Sequence, residues 1–443
     1  MIILPGNSVR ATGYDVANSS RFNSGSSDNL SISLSSTATN TKKGTLSFWF
    51  KTLGTNQQYP IAKSAGTIFY LYFNSSSQLV WQNGSTNTRI TNQVFRDPNS
   101  WGNLVVNFDT TQATASNRQK MFYNGTEITS FGTSNDLTLN QVISIFDGDS
   151  NARQISGYTG GGYYSGYICE VVGIDGEQLD PTSFGEFDED SPNIWKPKDV
   201  SGLTFGNNGF YLDFEDSSAL GNDVSGNNND FTVNNLTAAD QSIDTCTNNW
   251  SNLNAIDNIN SVLSEGNLRT TGTSNWSKVN STFSMPNGSW YVEIYSKVGS
   301  GNGNSGIGIK RVESPTAATL LGYESTSYGY LSNGNIYNNN GVITGSLATW
   351  SAGDIMSMSF TGSVLKFYKN NSLIHTISSL TGEYMFSFGS YPSDSYIVNF
   401  GQDGTFSGEV TAQGNSDPNG YGNFYYSPGS FYALNTKNLA EFG

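Results

Sequence analysis

The 443-residue chain is poor in charge and nearly lacks histidine. Charged residues make up 13% of the sequence, about half of the ~25% that is typical of soluble domains. His375 is the single histidine, so a zinc site built on two or three histidines cannot form within one chain. The formal net charge is −15, and Lys and Arg occur singly or in pairs. No basic patch is visible in the sequence, so we expect no nucleic-acid partner.

Cysteines and long apolar runs are also scarce. Cys169 and Cys246 are too few for a disulfide framework in a chain of this length, and the strand pattern around Cys169 predicts a buried thiol. No segment approaches the ~20 apolar residues of a membrane span. The first ten residues lack the basic start and apolar run of a signal peptide. We therefore expect synthesis in a cytoplasm and no membrane insertion.

Glycine, asparagine, serine, threonine and aromatic residues take the place of the missing charge. Apolar residues alternate with polar ones at period two throughout, whereas helical periodicity is almost absent. Asn124–Gly125 and Asn370–Asn371 interrupt two such runs and predict hairpin turns, because both residue types tolerate positive φ. The pattern predicts an all-β fold of two antiparallel β-sandwiches joined by an Asn-rich segment.

Composition divides the chain into four parts. Strand patterns fill residues 1–200 and 266–402, which predicts one sandwich in each. Residues 201–265 are polar and Asn-rich with aromatic anchors, and we interpret them as a bridging segment that lies against the domains. Residues 403–443 are rich in Gly and then in aromatics, which predicts a docking tail.

The segment 166–190 carries eight carboxylates and no Lys or Arg. Glycoside hydrolysis needs two acids at a suitable separation, so this segment is the one serious enzymatic option. A structural interpretation accounts for most of the charges: Glu170 is a single acid within a strand, and Asp180 caps a short turn that begins at Pro181. The G-x-G-x-x-G match at 301–306 continues as a strand pattern, which favours a hairpin loop over a phosphate site.

A calcium site is a further candidate. Asp147 and Asp149, with Asn151 nearby, offer the oxygen ligands that a hard cation takes. The alternative is a solvated β-turn without metal. No other cofactor is expected.

"YSGYICEVVGIDGEQLDPTSF" resembles the closing strand and turn of laminin G-like (concanavalin A-like) jelly rolls. "LSFWFKT", "SWGNLVVNFDTT" and "KMFYNGTEI" resemble three other strands of that family in the family order, so the likeness covers roughly residues 30–190. Laminarinases of the wider fold carry Glu-x-Asp-x-x-Glu. Here Val171, Val172 and Gly173 follow Glu170, so that motif is missing and we expect no enzyme activity.

"GSWYVEIY", "GIGI", "YGY", "GDIMSMSF", "LKFYKNN" and "VNFG" resemble the strands of SPRY domains in order. The resemblance implies a binding module that uses the loops between its strands. Tyr328, Tyr337 and Tyr391 fall in those loops beside Asn and Ser residues, and they are the candidate glycan-binding side chains. Tyr328 flanks Gly329 in a pattern that also fits core packing.

The tandem order of the two likenesses, with "FYYSPGSFYALNTKNLAEF" at the end, resembles virion proteins of tailed bacteriophages, marine ones especially. The resemblance implies a virion protein assembled in the host bacterial cytoplasm, a tail-fibre-like or capsid-surface adhesin for host surface glycan. A structural or decoration protein with protein contacts alone, and a glycan depolymerase, are the alternatives. The apolar start "MIILP" and the aromatic tail predict docking on other virion proteins or in a homo-oligomer.

Overall fold

The computed structural model describes residues 13–54, 56–299 and 303–443, and the described chain is almost entirely β-structure. It forms two compact units: an N-terminal unit that ends at Thr247 and a C-terminal unit from Asn248 to Gly443. The expected all-β fold of two antiparallel sandwiches is confirmed. No helix within the described ranges combines the length and the apolarity needed to cross a membrane.

Within the described residues, the N-terminal unit consists of short strands and four 3₁₀ turns. Its strands are β1 (Ser19–Phe22), β2 (Asn29–Ser33), β3 (Lys43–Thr52), β4 (Gln58–Lys63), β5 (Phe69–Phe73), β6 (Gln78–Asn83), β7 (Thr86–Val94), β8 (Gly102–Asp109), β9 (Gln119–Tyr123), β10 (Thr126–Glu127), β11 (Phe131–Ser134), β12 (Ala152–Ile155), β13 (Gly166–Asp175), β14 (Gly185–Phe187), β15 (Trp195–Pro197), β16 (Phe210–Leu212), β17 (Thr232–Asn234) and β18 (Gln241–Ser242). The 3₁₀ turns are Ala115–Asn117, Ser144–Phe146, Pro181–Ser183 and Ala238–Asp240. The turn after Asp180 begins at Pro181, as predicted, but the Asp180 side chain makes no capping hydrogen bond.

Two sheets enclose the core of this unit. One has the order β10-β9-β8-β3-β13-β1-β18, with β16 paired to β13, and the other has the order β11-β7-β6-β5-β4-β12-β2-β17. Leu46 and Leu104 from the first sheet meet Leu71 and Trp81 from the second in one apolar cluster. Successive side chains of a strand point to opposite faces of the sheet, so every second side chain of each sheet packs into the core between the two sheets.

Much of the segment predicted as a bridge belongs to the N-terminal sandwich. β16 pairs with β13, β17 with β2 and β18 with β1. Phe210, Phe214 and Phe231 are buried in the core cluster. The aromatic anchors noted in the sequence thus bury their rings in this sandwich, and residues 248–265 belong to the C-terminal unit.

The C-terminal unit has fourteen strands within the described residues and one helix. Its elements are β19 (Leu253–Ile259), β20 (Ser261–Ser264), β21 (Arg269–Gly272), β22 (Ser277–Ser281), β23 (Trp290–Val298), β24 (Gly306–Arg311), β25 (Ser327–Leu331), β26 (Ile336–Asn338), β27 (Gly341–Thr344), β28 (Ile355–Phe360), β29 (Leu365–Lys369), β30 (Ser372–Ile377), β31 (Tyr384–Ser390), β32 (Ser395–Asn399) and α1 (Thr436–Phe442). The two sheets run β19-β22-β31-β24-β25-β26-β27 and β20-β21-β32-β23-β28-β29-β30.

The predicted hairpin turns are confirmed. Asn124 and Gly125 have φ of 47° and 74°, and Asn370 and Asn371 have φ of 46° and 66°. Two successive positive φ values define the turn that matches the twist of antiparallel strands. The segment 301–306 differs from its prediction, because β23 and β24 belong to different sheets and no hairpin joins them. Its residues 301 and 302 lie outside the described ranges.

The C-terminal segment 403–443 packs on its own unit. Phe406 and Leu434 are fully buried in the core cluster of that unit. The Glu293 carboxylate accepts the backbone N–H groups of Tyr425 and Tyr426 at 2.8 and 2.7 Å. The aromatic tail therefore packs on a domain of its own chain, which is one of the two arrangements that its aromatics predict, and docking on a neighbouring chain stays a prediction. The start "MIILP" lies outside the described residues.

Leu434→Ala should lower the free energy of unfolding of the C-terminal unit by about 2–5 kcal/mol, because it leaves a cavity in a closed core. Thermal denaturation followed by circular dichroism measures this. Glu441→Ala in the exposed part of the same tail is the control, with an expected change within about 0.5 kcal/mol. A tail that is only loosely placed on this unit would give equal melting temperatures for both variants.

Candidate functional site

Four tyrosines form a continuous cluster on the N-terminal unit, which we call the tyrosine platform: Tyr59, Tyr70, Tyr72 and Tyr158. The Tyr59 ring stacks on Tyr72 with a centroid distance of 4.7 Å and an interplanar angle of 20°. Its centroid lies 5.2 Å from that of Tyr70 and 4.6 Å from that of Tyr158. Tyr59 is buried in the middle, and the other three rings are half-buried around it.

The pleat of β5 explains why two of these rings face outward. Phe69, Leu71 and Phe73 are buried in the core, so Tyr70 and Tyr72 point to the opposite face of the sheet. On neighbouring strands Tyr70 is paired with Ala62 and Gln82, and Tyr72 with Val80. Because directly paired residues share a face, small and neutral side chains surround the rings.

A glycine-rich loop, 157–162, holds the edge of the platform. Tyr59 donates its N–H to the Gly162 carbonyl at 2.9 Å, and Gly157 donates to the Tyr59 carbonyl at 2.7 Å. A Cβ on Gly162 would lie 2.6 Å from the Tyr59 ring, and the φ of Gly162 is +63°. Glycine is therefore required there both for space and for backbone conformation. The loop therefore holds Tyr158 against Tyr59 in the absence of ligand.

The platform carries hydroxyls and amides without formal charge. Gln57 donates from Nε2 to the Tyr59 hydroxyl at 2.5 Å. Burial raises the pKa of Tyr59 to about 12, with nearby Tyr72 and Tyr158 adding to the shift. Burial also raises the pKa of Tyr70 and Tyr72. The phenols therefore remain protonated donors at neutral pH, and the surface presents ring faces beside neutral hydrogen-bonding groups.

The C-terminal unit has a second exposed set of rings, the aromatic row Trp276, Tyr323 and Tyr337. Their centroids are 6.3 Å apart between Trp276 and Tyr323 and 5.7 Å apart between Tyr323 and Tyr337. Trp276 is 37% exposed. A Cβ on Gly329 would lie 2.5 Å from the Leu321 carbonyl oxygen, so a glycine lets the loop that carries Tyr323 lie close to the sheet.

The three candidate tyrosines of the sequence analysis occupy different environments, and Tyr328 and Tyr337 lie within β25 and β26 instead of in the predicted loops. Tyr337 pairs directly with Gly329 and so faces away from Tyr328, which neighbours Gly329 on β25. Tyr337 joins the aromatic row, whereas Tyr328 packs against the core cluster. Tyr391 follows β31, with its N–H donating to Ser305 Oγ at 3.0 Å. In the described chain Tyr391 makes no ring contact with the aromatic row.

The proposed calcium ligands Asp147 and Asp149 face cationic side chains. Lys63 Nζ, with its side chain fully buried, lies 3.4 Å from Asp147 and 2.9 Å from Asp149. Arg153 forms ion pairs with both carboxylates, at 2.7 Å to Asp149. Burial opposes ionisation of Asp149, but hydrogen bonds from Lys63, Asn151 and Arg153 outweigh it and hold its pKa well below the usual value. Burial raises the pKa of Asp147 against the attraction of the same two cations.

Glu170, the strand acid of the sequence analysis, lies at an irregularity where β13 shifts register against β3. Its φ is +51°, an uncommon conformation for a residue with a side chain. Tyr211 and Tyr14 donate their hydroxyls to Oε2 at 2.8 and 3.3 Å. Burial raises the pKa of Glu170 to about 8, although both phenol hydrogen bonds lower it. The carboxyl group is thus held between phenols beneath the surface.

The sequence analysis missed all four platform tyrosines and, in the aromatic row, Trp276 and Tyr323. The alternation in "FYLYF" separates Tyr70 and Tyr72 from the core residues and could have indicated the outward face. The sequence "GYTGGGYY" at 157–164 is a second signal, because glycines beside tyrosines allow rings to approach a backbone. The contacts between these segments require the sheet register, which neither signal contains.

Residues 24–174 match the family model of the concanavalin A-like lectin/glucanases superfamily, and all four platform tyrosines fall inside that range. No curated protein matches the chain. The family match indicates a carbohydrate- or protein-binding role for the N-terminal unit.

Solved structures similar to this chain include SPRY domains. The SPRY domain of human HERC1 is 18% identical, with 33% of this chain and 96% of that chain covered and a TM-score of 0.30. A human SPRY domain is 13% identical, with 32% and 95% covered and a TM-score of 0.26. The stonustoxin structure is 18% identical, with 34% and 27% covered and a TM-score of 0.28.

Adding millimolar calcium should leave the melting temperature of the protein unchanged, because an ion at Asp147 and Asp149 would have to displace Lys63 and Arg153. Differential scanning calorimetry with calcium and with chelator measures this. Binding to the folded state alone raises stability by about 2.7 kcal/mol at a hundredfold excess over Kd. A calcium-dependent rise in melting temperature, abolished by Asp149→Asn, would restore the calcium site.

Glu170→Gln should remove a pH dependence of stability. The folded pKa lies near 8 and the ordinary value is 4.5, so between these values the folded state keeps a proton that the unfolded state loses. The free energy of unfolding therefore falls as pH rises through this window, by up to about 1.4 kcal/mol per unit. Urea unfolding at pH 5 and pH 8 compares the two proteins. An equal change in the free energy of unfolding between pH 5 and pH 8 for wild type and variant would show that Glu170 is not the titrating group.

Proposed function

We propose that this protein is a tailed-bacteriophage virion protein whose N-terminal sandwich binds host cell-surface glycan at the tyrosine platform. The observation that carries the binding proposal is the cluster of Tyr59, Tyr70, Tyr72 and Tyr158, fixed by a glycine loop on an outward sheet face. The virion assignment is supported by the tandem order of the two sandwich types and the closing segment of the sequence.

A neutral sugar chain suits this surface better than a charged ligand. Ring faces take the C–H faces of pyranoses, while phenol and amide groups pair with sugar hydroxyls. Binding of single-stranded nucleic acid also uses aromatic stacking, but it combines stacking with a positively charged groove. The platform rings and their partner Gln57 are uncharged, and the whole chain has a formal net charge of −15. These properties favour glycan as the ligand.

Binding without cleavage is the expected activity. A glycoside hydrolase needs a second carboxyl group about 5–10 Å from the first. Asp213 and Glu215 are near enough to help raise the pKa of Glu170, but the Glu170 carboxyl group accepts hydrogen bonds from Tyr14 and Tyr211 and lies beneath the surface. We therefore expect no reducing sugar to be released from a bound polysaccharide.

Tyr72→Ala and Tyr158→Ala should each weaken glycan binding about fivefold, since a lost stacking face removes about 1 kcal/mol. A glycan array and adsorption to host cells measure binding, and the melting temperature measures folding. Val142→Ala, at an exposed apolar position of the same unit, is the matched control. Normal adsorption by both tyrosine variants would contradict the platform as the binding site, and absence of any glycan binding by wild type would favour a decoration protein.

The aromatic row of the C-terminal unit is the second candidate surface, and the observation that favours it is the contact of the partly exposed rings of Trp276, Tyr323 and Tyr337. Tyr337→Ala should lose adsorption and keep its melting temperature if this row contacts glycan. Tyr328→Ala should instead lose roughly 3–5 kcal/mol of stability, because its ring packs against the core. If Tyr337→Ala lowers the melting temperature while the folded variant adsorbs normally, the aromatic row does not contact glycan.

A further inference from the structure

Two thiols meet in the interior of the N-terminal unit. Cys169 lies on β13, and Cys246 lies in the segment 243–247 that follows β18. Their Sγ atoms are 3.8 Å apart, although 77 positions separate them in sequence. Both side chains are buried, in a small apolar cluster with Val16, Trp49 and Trp101. The cysteine count alone gave no reason to pair them.

We propose that Cys169 and Cys246 are an oxidisable pair that forms an intramolecular disulfide and locks the segment 243–247 onto β13. A disulfide needs its sulfurs about 2.05 Å apart, so the two Sγ atoms have to close from 3.8 Å. The Cys169 sulfur also interacts with the backbone of Cys246, which shows that the two segments already lie side by side.

The reaction is thiol–disulfide exchange with a small disulfide such as glutathione disulfide. One cysteine thiolate attacks the oxidant, forms a mixed disulfide and releases one glutathione thiolate. The second cysteine thiolate then attacks the protein sulfur of the mixed disulfide, closes the Cys169–Cys246 bond and releases the second glutathione. Two S–H bonds are lost and one S–S bond forms. The two protons and two electrons end on the two glutathione thiols.

Burial controls the rate of this reaction. Burial raises the pKa of both thiols, so the reactive thiolate is scarce while the unit is closed. The oxidant also has no direct path to side chains that are 0% and 3% exposed. Oxidation therefore takes place during folding or while the segment 243–247 is open, and the bond resists reduction once the unit has closed.

The bond would strengthen a segment that already carries a buried ion pair. Asp244 accepts from Lys51 Nζ at 2.9 Å and from Trp101 Nε1 at 3.0 Å. Cross-linking across 77 positions removes chain entropy from the unfolded state, and the expected rise in melting temperature is on the order of 10 °C.

The test uses the full-length wild-type protein, unfolded and refolded in a glutathione redox buffer, beside a sample kept in dithiothreitol. After alkylation of free thiols, non-reducing peptide mapping should find one linked peptide pair that contains Cys169 and Cys246, and the oxidised protein should melt about 10 °C higher. Folded protein exposed to the same buffer should oxidise at least tenfold more slowly than protein during refolding.

Two controls accompany this test, and three outcomes would contradict the proposed disulfide or its role. Cys246→Ser should melt at the same temperature in both buffers, and the circular dichroism spectrum of wild type in dithiothreitol shows whether the reduced unit folds. Free thiols after oxidative refolding, or separate glutathione adducts on each cysteine, would overturn the pair. A linked protein that melts no higher than the reduced protein would overturn its role in holding the segment 243–247.

Discussion

The pleat of one sheet is the constraint on which the proposed site depends. Along β5, Phe69, Leu71 and Phe73 can be buried only if Tyr70 and Tyr72 face the other way. Moving the strand by one residue would bury two phenols and expose three apolar side chains, so the core fixes the outward face. β4 and the loop 157–162 then add Tyr59 and Tyr158 to a surface that already exists. Core packing and platform geometry are thus two results of the same register.

Several buried charged groups in the described part of this low-charge chain have a hydrogen-bonding or ionic partner. Lys51 and Asp244 are both fully buried and form an ion pair at 2.9 Å. Burial lowers the pKa of Lys51, while Asp244 opposes that shift. Glu293 accepts two backbone N–H groups from the C-terminal segment, and burial raises its pKa to about 7 against those hydrogen bonds. Such groups are costly to leave unpaired, so they fix which segments close each sandwich.

Much of the fold could be predicted from the sequence because its signals are local. Alternation and Asn-containing turns indicate strands and hairpins without knowledge of distant contacts, and the positive φ values at Asn370 and Asn371 follow from the residue type. The destination of the segment 201–247 could not be predicted in this way. Its short strands pair with β13, β2 and β1, and those pairings depend on aromatic burial across long sequence separations.

The candidate site was harder to predict than the fold for the same reason. The sequence predicts Tyr337 as a glycan-binding side chain in a loop, whereas it lies on β26. Its register opposite Gly329 places it on an outer face beside two rings that the sequence did not single out. Tyr328 differs from it only in facing the core. Asp147 and Asp149 have the composition of a cation site, but Lys63 is distant in sequence and becomes their partner only in the folded unit.

Hydroxyl-radical footprinting with and without host surface polysaccharide measures whether a ligand covers the tyrosine platform. Tyrosine side chains oxidise readily when exposed, so the readout is the oxidation rate of each ring. Tyr70, Tyr72 and Tyr158 should be protected by the polysaccharide, whereas half-buried Tyr421 in the other unit should oxidise at an unchanged rate. Unchanged oxidation rates of these three rings while the polysaccharide is bound would show that it does not bind at the tyrosine platform.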